Sequence, residues 1–499
     1  MRPFRLIAAL LAIPPIPAAM ALEGQPGMHD PSTVFVDRGR YYSMGTGAGL
    51  PVLASDDGWT WRRHGQLMQA VPGGKPSPAV LARGGNNTWA PDVIRIGKRI
   101  YVYYSAPATQ PRSAIGLLVG TTFDTTAPDY HWEDAGPVVW SDGIEDSNAI
   151  DPGVFIDPAD GRLWLSYGSY FGYIRLVELD PRTGLRRYPE RKALDIAINS
   201  EASIIIHHDD WYYLLVTHGS CCQGANSTYN IRMGRSRKVT GPYLDNMGVD
   251  MIEGGGKLFA GSTGRFVGPG HFGLLQLDNA VQKFSLHYEA DLDRGGISVL
   301  DIRPLLWRDG WPVAGDNFRA GDYMIESVRT GNVLELAVQG EPVGGPRVRP
   351  PGPPAADPPP LPPVPPQLAT QVAANWPASD VAVRLAPHML QAQQRWRITP
   401  VPDAGGYPGS PWFRIGIADT ERALAATPEG ELVAVAAFTG APAQLWRIDT
   451  LADGTYRLVP KSSQDPQSPV ALSAVGSSTP TMSMFRPETD HQRWIIRTP

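Results

Sequence analysis

Three acids recur in one local setting. Asp30 stands in MHDPSTVF (Met28–Phe35), Asp151 in NAIDPGVFI (Asn148–Ile156) and Glu201 in NSEASIII (Asn199–Ile206). Each is followed by small residues and then by a β-branched or aromatic run, the pattern of a buried strand with a carboxylate at its mouth. An aspartate beside proline or glycine commonly caps its own turn. Asp157-Pro158, Asp180-Pro181 and Pro402-Asp403 are read that way. Recurrence in separate segments sets the other three apart. Hydrolysis of a glycosidic bond needs two carboxyl groups with different tasks, one protonated to serve the leaving oxygen and one ionised to activate water or attack carbon. Burial and neighbouring charge must push their pKa values apart. A third acid near the proton donor would raise it further by repulsion. Competing chemistries lack their signatures: the chain has no GxSxG, no HExxH and no phosphate-cradling glycine loop.

The elements that must gather these acids repeat too. Five strand–turn–strand units follow one another, beginning at Val34, Val93, Val154, Ile204 and Leu274. Each pairs an apolar strand with an aromatic-rich one across a short polar turn, and the spacing leaves room for a four-stranded sheet per unit. The fold class expected is therefore all-β, a five-bladed β-propeller, with a β-sandwich as the alternative. Leu300–Val313 is expected to close the ring. Asp30, Asp151, Glu201 and His271 stand just upstream of four first strands, and Thr88–Val93 (TWAPDV) precedes the second. First strands line a propeller's axis, so these residues should converge.

After the propeller the composition changes. Gly340–Gln367 is proline-rich and cannot pack a core. Beyond it come three Gln-x-Trp signatures ending in Trp396, Trp446 and Trp494, at steps of 50 and 48 residues. Opening phrases at Gly321, Pro411 and Gly454 accompany them. This threefold repeat resembles the ricin-type β-trefoil, with the proline stretch inserted in its first repeat or serving as a linker. The expected division is a signal peptide over 1–21, a propeller over 22–316 and a trefoil over 321–499.

A chain of 499 residues implies more than one domain, and a net charge of −5 without Lys/Arg blocks argues against nucleic acid as a partner. Arg2 and Arg5, the apolar Leu6–Ile13 and the Ala19-Met20-Ala21 site read as a secretory signal. The apolar run is too short to span a bilayer. A secreted monomer, with no membrane partner, is expected. The only cysteines are the neighbours Cys221 and Cys222; a bridge between them would join Cα atoms only about 3.8 Å apart, closer than a relaxed disulfide prefers.

HDPSTVF, NTWAPDV, SAIGLLVG, NAIDPGVF, SYGSYFGYIRLVELDPRTG, NSEASIII, CCQGANSTYNIRMGRS, VGPGHFG and IRPLLWRDGWP together resemble glycoside hydrolase family 43, specifically its arabinan endo-1,5-α-L-arabinanases. The match runs from about residue 28 to 315. The resemblance implies a five-bladed propeller that hydrolyses arabinan with inversion. Asp30 would be the general base, Glu201 the general acid and Asp151 the modulator of the acid's pKa. Gly116, Asn148, Gly168, Ser169 and Tyr170 would line the sugar cleft, and Trp89 and Phe171 would stack on furanose rings. Packing explains those two rings equally well. His271 would ligate a calcium ion on the axis, with waters supplying the oxygen ligands that calcium prefers. Gly172-Tyr173 stands where the family commonly has Gly-Gly, so Tyr173 would narrow the cleft or add a stacking surface. The trefoil would bind carbohydrate or act as a structural module. An exo-acting α-L-arabinofuranosidase or β-xylosidase fits the same scaffold. A non-catalytic carbohydrate-binding propeller would need one of the three acids missing.

Overall fold

The strand Arg99–Pro107 shows how the N-terminal half is built. Ile100, Val102 and Tyr104 enter one apolar cluster, while Tyr101 and Tyr103 enter another. Side chains alternate along a strand, so a strand apolar on both faces must lie between two layers. The computed structural model, which describes residues 21–142, 148–338, 368–463, 469–476 and 479–499, repeats this arrangement around a ring. The expected signal segment, apart from Ala21, and the proline-rich stretch Gly340–Gln367 lie outside the described residues.

The ring has five antiparallel blades. Blade I comprises Phe35–Asp37, Arg40–Met44, Pro51–Ser55 and Thr60–Gln66; blade II, Trp89–Ile96, Arg99–Pro107, Ser113–Gly120 and Trp132–Ser141. Blade III comprises Gly153–Ile156, Leu163–Tyr167, Tyr173–Leu179 and Leu194–Ile198. Blade IV comprises Glu201–His208, Trp211–His218, Asn230–Ser236 and Lys257–Ala260; blade V, Phe266–Gln276, Gln282–Asp291, Ile297–Arg308 and Trp311–Ala314. Five separate apolar clusters fill the five gaps between neighbouring blades, including the gap between V and I, where Val34 and Trp61 meet Leu275 and Ile302. The fold is a five-bladed β-propeller.

Closure differs from expectation. Leu300–Val313 supplies the outer half of blade V, and the N-terminal segment does the sealing. Leu300 N–H donates to Pro26 O (2.9 Å) and Met28 N–H to Ser298 O (3.1 Å), while Glu23–Gly24 runs parallel to Thr60–Trp61 on blade I. The segment that carries His29 and Asp30 is thus clamped between the first and last blades.

One backbone device recurs at the mouths of the inner strands. Asp30, Ala90, Asp151, Ala202 and His271 all have positive φ, between 39° and 56°. Aspartate and histidine tolerate the left-handed region better than alanine does, and the surroundings help to hold the backbone there. They do so with hydroxyls from neighbouring strands: Ala90 N–H donates to Thr46 Oγ1 (2.9 Å), Asp151 N–H to Ser105 Oγ (2.9 Å) and His271 N–H to Thr217 Oγ1 (3.1 Å). Inner strands also approach very closely. A Cβ on Gly153 would meet Ser203 O at 1.9 Å, and one on Gly273 would meet Thr33 Cα at 2.7 Å. Buried Asp92 spans three blades, accepting from Thr33 N–H (3.2 Å) and Val154 N–H (2.9 Å).

Residues from Gly321 onward form a second unit with threefold regularity. Gly321–Ser327, Trp396–Pro400, Phe413–Ile417, Trp446–Thr450, Tyr456–Pro460 and Trp494–Arg497 pair in a closed circle. Three hairpins accompany them: Val333–Leu336 with Val381–Ala386, Ala423–Ala426 with Leu432–Val435, and Val470–Ala474 with Pro480–Met484. The Gln-x-Trp signatures have a physical reason here. Trp396, Trp446 and Trp494 are fully buried, and their indole N–H groups donate to Leu334, Leu424 and Leu472 carbonyls at 2.8–2.9 Å. Gln394, Gln444 and Gln492 accept from the backbone N–H of Met389, Thr439 and Arg486 at 2.7–2.8 Å.

The two units meet through buried charge. Arg457, fully buried, binds Asp449 of its own unit (2.6 Å) and Asp278 of blade V (2.8 Å). Lys283 of blade V donates to Pro408 O, and burial pulls its pKa down to about 8 despite Asp449 nearby. Asp57 of blade I accepts from Gly406 N–H (2.9 Å) and Trp307 N–H donates to Ala452 O (2.8 Å). Removing one partner from such a network strands the others without compensation. Arg457→Met is expected to cost about 3–5 kcal/mol of stability in denaturant titrations, and an added Asp449→Leu should recover part of it. A loss under about 1 kcal/mol would mean the network carries little.

Candidate active site

The ring brings the acids together. Asp30, Asp151 and Glu201 line one cavity of about 850 Å3, together with Trp89, Ser169, Tyr170 and Phe171. Asp30 and Asp151 occupy the left-handed position at the mouths of blades I and III. Glu201 does not. In blade IV the left-handed residue is Ala202, and Glu201 precedes it as the first residue of its strand. Its side chain therefore leaves from a different backbone position than the two aspartates.

Asp30 is held as an anion. Its Oδ2 lies 2.8 Å from His29 Nδ1 and accepts from Thr46 Oγ1 at 2.6 Å, and its Oδ1 lies 3.1 Å from His271 Nδ1. Burial alone would raise its pKa. The charge and hydrogen bonding of His271 and His29 outweigh burial and hold the carboxyl well below the usual range. His29 is itself gripped on its far side, with Nε2 2.7 Å from Glu289 Oε1. Burial works against the imidazolium, but Asp30 and Glu289 raise His29 to about 10. Glu289, with His287 Nε2 3.0 Å from the same oxygen, is brought down to about 2 despite its burial.

Glu201 is held the opposite way. Burial raises its pKa, and the nearby Asp30 charge adds to that, against hydrogen bonds from Tyr229 OH and from Ser169 Oγ (2.9 Å). Asp151 is pushed further up, first by burial and then by the charges of Glu201 and Asp30. Its Oδ2 accepts from Ala202 N–H at 3.2 Å. The sequence suggested that Asp151 would be a standing charge lifting Glu201. The site instead has Asp30 as the charge that lifts Glu201, while Asp151 is itself lifted by burial and by the charges of Glu201 and Asp30.

The remaining expected residues divide. Ser169, Tyr170, Phe171 and Trp89 reach the cavity, and Tyr170 and Phe171 are 41% and 48% exposed, open enough for a ring to stack on. Gly116, Asn148 and Gly168 do not line it. A Cβ on Gly116 would strike the Tyr104 ring, so that glycine serves packing in blade II. Asn148 is fully buried and accepts from Ser113 Oγ at 3.0 Å. Gly168, at φ 132°, donates to Ile150 O and lies against the Tyr173 carbonyl, shaping the loop that presents Ser169. Tyr173 also stays out of the cavity wall, pairing with Ile198 in blade III. His29, Thr46, Tyr229 and Glu289 line the cavity and were not anticipated. His287 and Glu289 stand two apart on one strand, hence on one face, which is the signal that would have found them. Cys221 and Cys222 are bonded to each other in the cavity wall, and Cys222 N–H donates to Glu289 Oε2 at 2.6 Å.

His271 can be tested as a cation ligand. It is largely buried, and its Nε2 has no hydrogen-bond partner among the described residues. Burial disfavours a proton there, yet Asp30 and Asp151 raise the pKa, so both carboxylates call for positive charge at this point. One nitrogen and nearby anions fit a cation whose other ligands are water.

Comparison with known proteins identifies the family. The sequence pattern of glycosyl hydrolases family 43 matches residues 25–312. Extracellular endo-alpha-(1->5)-L-arabinanase 1 of Bacillus subtilis is 34% identical over 62% of this chain and 94% of its own length. Extracellular exo-alpha-(1->5)-L-arabinofuranosidase ArbA of Cellvibrio japonicus is 35% identical over 58% of this chain and 86% of its own. The solved structure of Cellvibrio cellulosa alpha-L-arabinanase complexed with arabinohexaose is 32% identical, covers 58% of this chain and 95% of its own, and superposes with a TM-score of 0.53. The chain belongs to glycosyl hydrolases family 43 and is a glycoside hydrolase.

Proposed function

We propose that this enzyme cleaves α-1,5-L-arabinofuranosidic bonds of arabinan with inversion. The observation that carries the reading is the opposed setting of carboxyls in one cavity: the surroundings push the Asp30 pKa down and the Glu201 pKa up. Asp30 takes a proton from water as that water attacks the anomeric carbon. Glu201 gives its proton to the departing glycosidic oxygen, so both fragments leave neutral. Asp151 tunes the pKa of Glu201 and fixes the local backbone through Ala202. Ser169 and Tyr229 orient the acid. Thr46 and His29 orient the base. Tyr170, Phe171 and Trp89 offer ring faces to furanose units. A calcium ion held by His271 and waters would add fixed positive charge beside Asp30 and Asp151.

The substrate follows from the names of the relatives, several of which are arabinan endo-1,5-alpha-L-arabinosidases. An exo-acting mode is a second reading, favoured by the Cellvibrio japonicus relative named as an exo-acting enzyme. Secretion is supported by the segment 1–21 and by relatives named extracellular; no described helix is long and apolar enough to cross a membrane. The second unit is proposed as a ricin-type β-trefoil, on its closed six-strand circle and three matched Gln-x-Trp environments. A sugar-binding role there would raise enzyme concentration on the polymer.

Glu201→Gln and Asp30→Asn should each lower the turnover of linear arabinan about 10²–10⁴-fold with unchanged melting profiles; retained turnover would remove the residue from its role. A general base works above its pKa and a general acid below its own. With Asp30 lowered and Glu201 raised, the pH–rate profile should keep its acid limb below the ordinary aspartate value of about 3.9 and its alkaline limb above the ordinary glutamate value of about 4.3. Chromatography of early products from debranched arabinan decides the mode: a ladder of oligomers means endo, one small sugar from the outset means exo.

A further inference from the structure

The bridge in the cavity wall takes no part in the hydrolytic steps, yet it touches the groups that do. Cys221 and Cys222 are the chain's only cysteines and are bonded to each other. Cys221 is half-buried, Cys222 is exposed, and both line the large cavity. The loop that carries them is anchored on either side. Thr228 N–H donates to Ser220 O at 3.0 Å and Ser227 Oγ to the same carbonyl at 2.7 Å, while Asn226 N–H donates to Gln223 O at 3.1 Å. Between these anchors the cysteine pair makes one hydrogen bond among the described residues, from Cys222 N–H to Glu289 Oε2 at 2.6 Å. A bond between neighbouring cysteines closes a small ring around their shared peptide unit and limits where that amide can point. The ring includes Cys222 at φ 66°, a region that residues other than glycine seldom adopt.

Glu289 is where the direction of that amide matters. The residue is buried, and its two oxygens have different donors. Oε1 meets His29 Nε2 (2.7 Å) and His287 Nε2 (3.0 Å), whereas Oε2 meets Cys222 N–H. On its other side His29 Nδ1 lies 2.8 Å from Asp30 Oδ2. A buried carboxylate oxygen that loses its donor carries a desolvation cost, so the group turns to recover a partner. Turning moves the oxygen that grips His29.

We propose that Cys221–Cys222 is a redox-sensitive positioning device: oxidised, it holds Glu289, His29 and Asp30 in line, and reduced, it frees the Cys222 amide and slackens that line. The inference rests on the reading of Asp30 as the general base. A small dithiol supplies the reduction. One of its thiolates attacks a cysteine sulfur, the S–S bond breaks and a mixed disulfide forms; its second thiol then displaces the protein sulfur. Two electrons pass to the protein, the dithiol leaves as a cyclic disulfide, and its two protons end on the Cys221 and Cys222 thiols.

The test measures turnover of debranched arabinan before and after treatment with dithiothreitol, with thiols counted per chain. With two cysteines in one bridge, the count should rise from zero to two, and the effect belongs to this site. Reduction should lower kcat about tenfold, the scale of one charge-assisted hydrogen bond, with KM unchanged and kcat restored on reoxidation. Cys221→Ser combined with Cys222→Ser should show the lowered kcat at an unchanged melting profile and ignore the dithiol. Glu289→Gln, slower at the outset, should lose nothing more on reduction, because both changes break the same link. Native enzyme that yields no thiols, or that keeps its kcat with two thiols exposed, overturns the device. So does a raised KM at constant kcat, which would make the bridge a substrate contact, and so does an undiminished effect of reduction in Glu289→Gln. Each of these leaves Asp30 as the base so long as Asp30→Asn is inactive; full turnover in Asp30→Asn removes that reading and the device with it.

Discussion

A carboxylate kept ionised in a buried place is the constraint on which the catalytic half depends. Desolvation would neutralise Asp30, so the fold must surround it with donors and cations. It does so from several directions at once: Thr46 at the end of blade I's second strand, His271 on blade V, and His29 from its own segment. His29 in turn needs Glu289, which also lies on blade V. No single blade could supply this set. The anion exists because the ring closes, and the N-terminal segment that carries it is the piece that closes the ring.

The same closure explains how two neighbouring acids acquire opposite tendencies. Asp30 receives the cations, and its charge, acting with burial, then lifts Glu201 and Asp151. One stabilised anion thus sets the state of the whole cluster. The vicinal disulfide belongs to this arrangement. Cys222, at φ 66°, turns its amide onto Glu289 and so braces the far end of the chain Asp30–His29–Glu289.

Much of this was legible in the sequence, and the misses have physical causes. The blades announced themselves because each buries both faces, which writes period-two apolar runs between turn signals. Asp30 and Asp151 were found because aspartate suits the left-handed mouth position and proline follows it. Glu201 was found by composition, although its backbone position is shifted by one from theirs, a difference hidden without coordinates. Gly116, Asn148 and Gly168 were misplaced because a glycine or buried amide that supports a wall reads the same as one that lines it. Tyr229 and Glu289 were missed because their partners lie 28 and 260 residues away, in Glu201 and His29.

The second unit shows the opposite balance. Its threefold repeat was plain because each Gln-x-Trp does the same local work, the indole closing onto a hairpin carbonyl and the amide holding a loop. What could not be read was its attachment. Arg457, Asp449, Asp278 and Lys283 are scattered and individually ordinary, yet they form the buried charge seam between the units. A seam built this way tolerates little sliding, because any shift leaves a buried ion unpaired. The appended unit is therefore held in a fixed pose against blades I and V. These are the blades whose junction carries Asp30, so the second unit stands at a constant distance from the cleft.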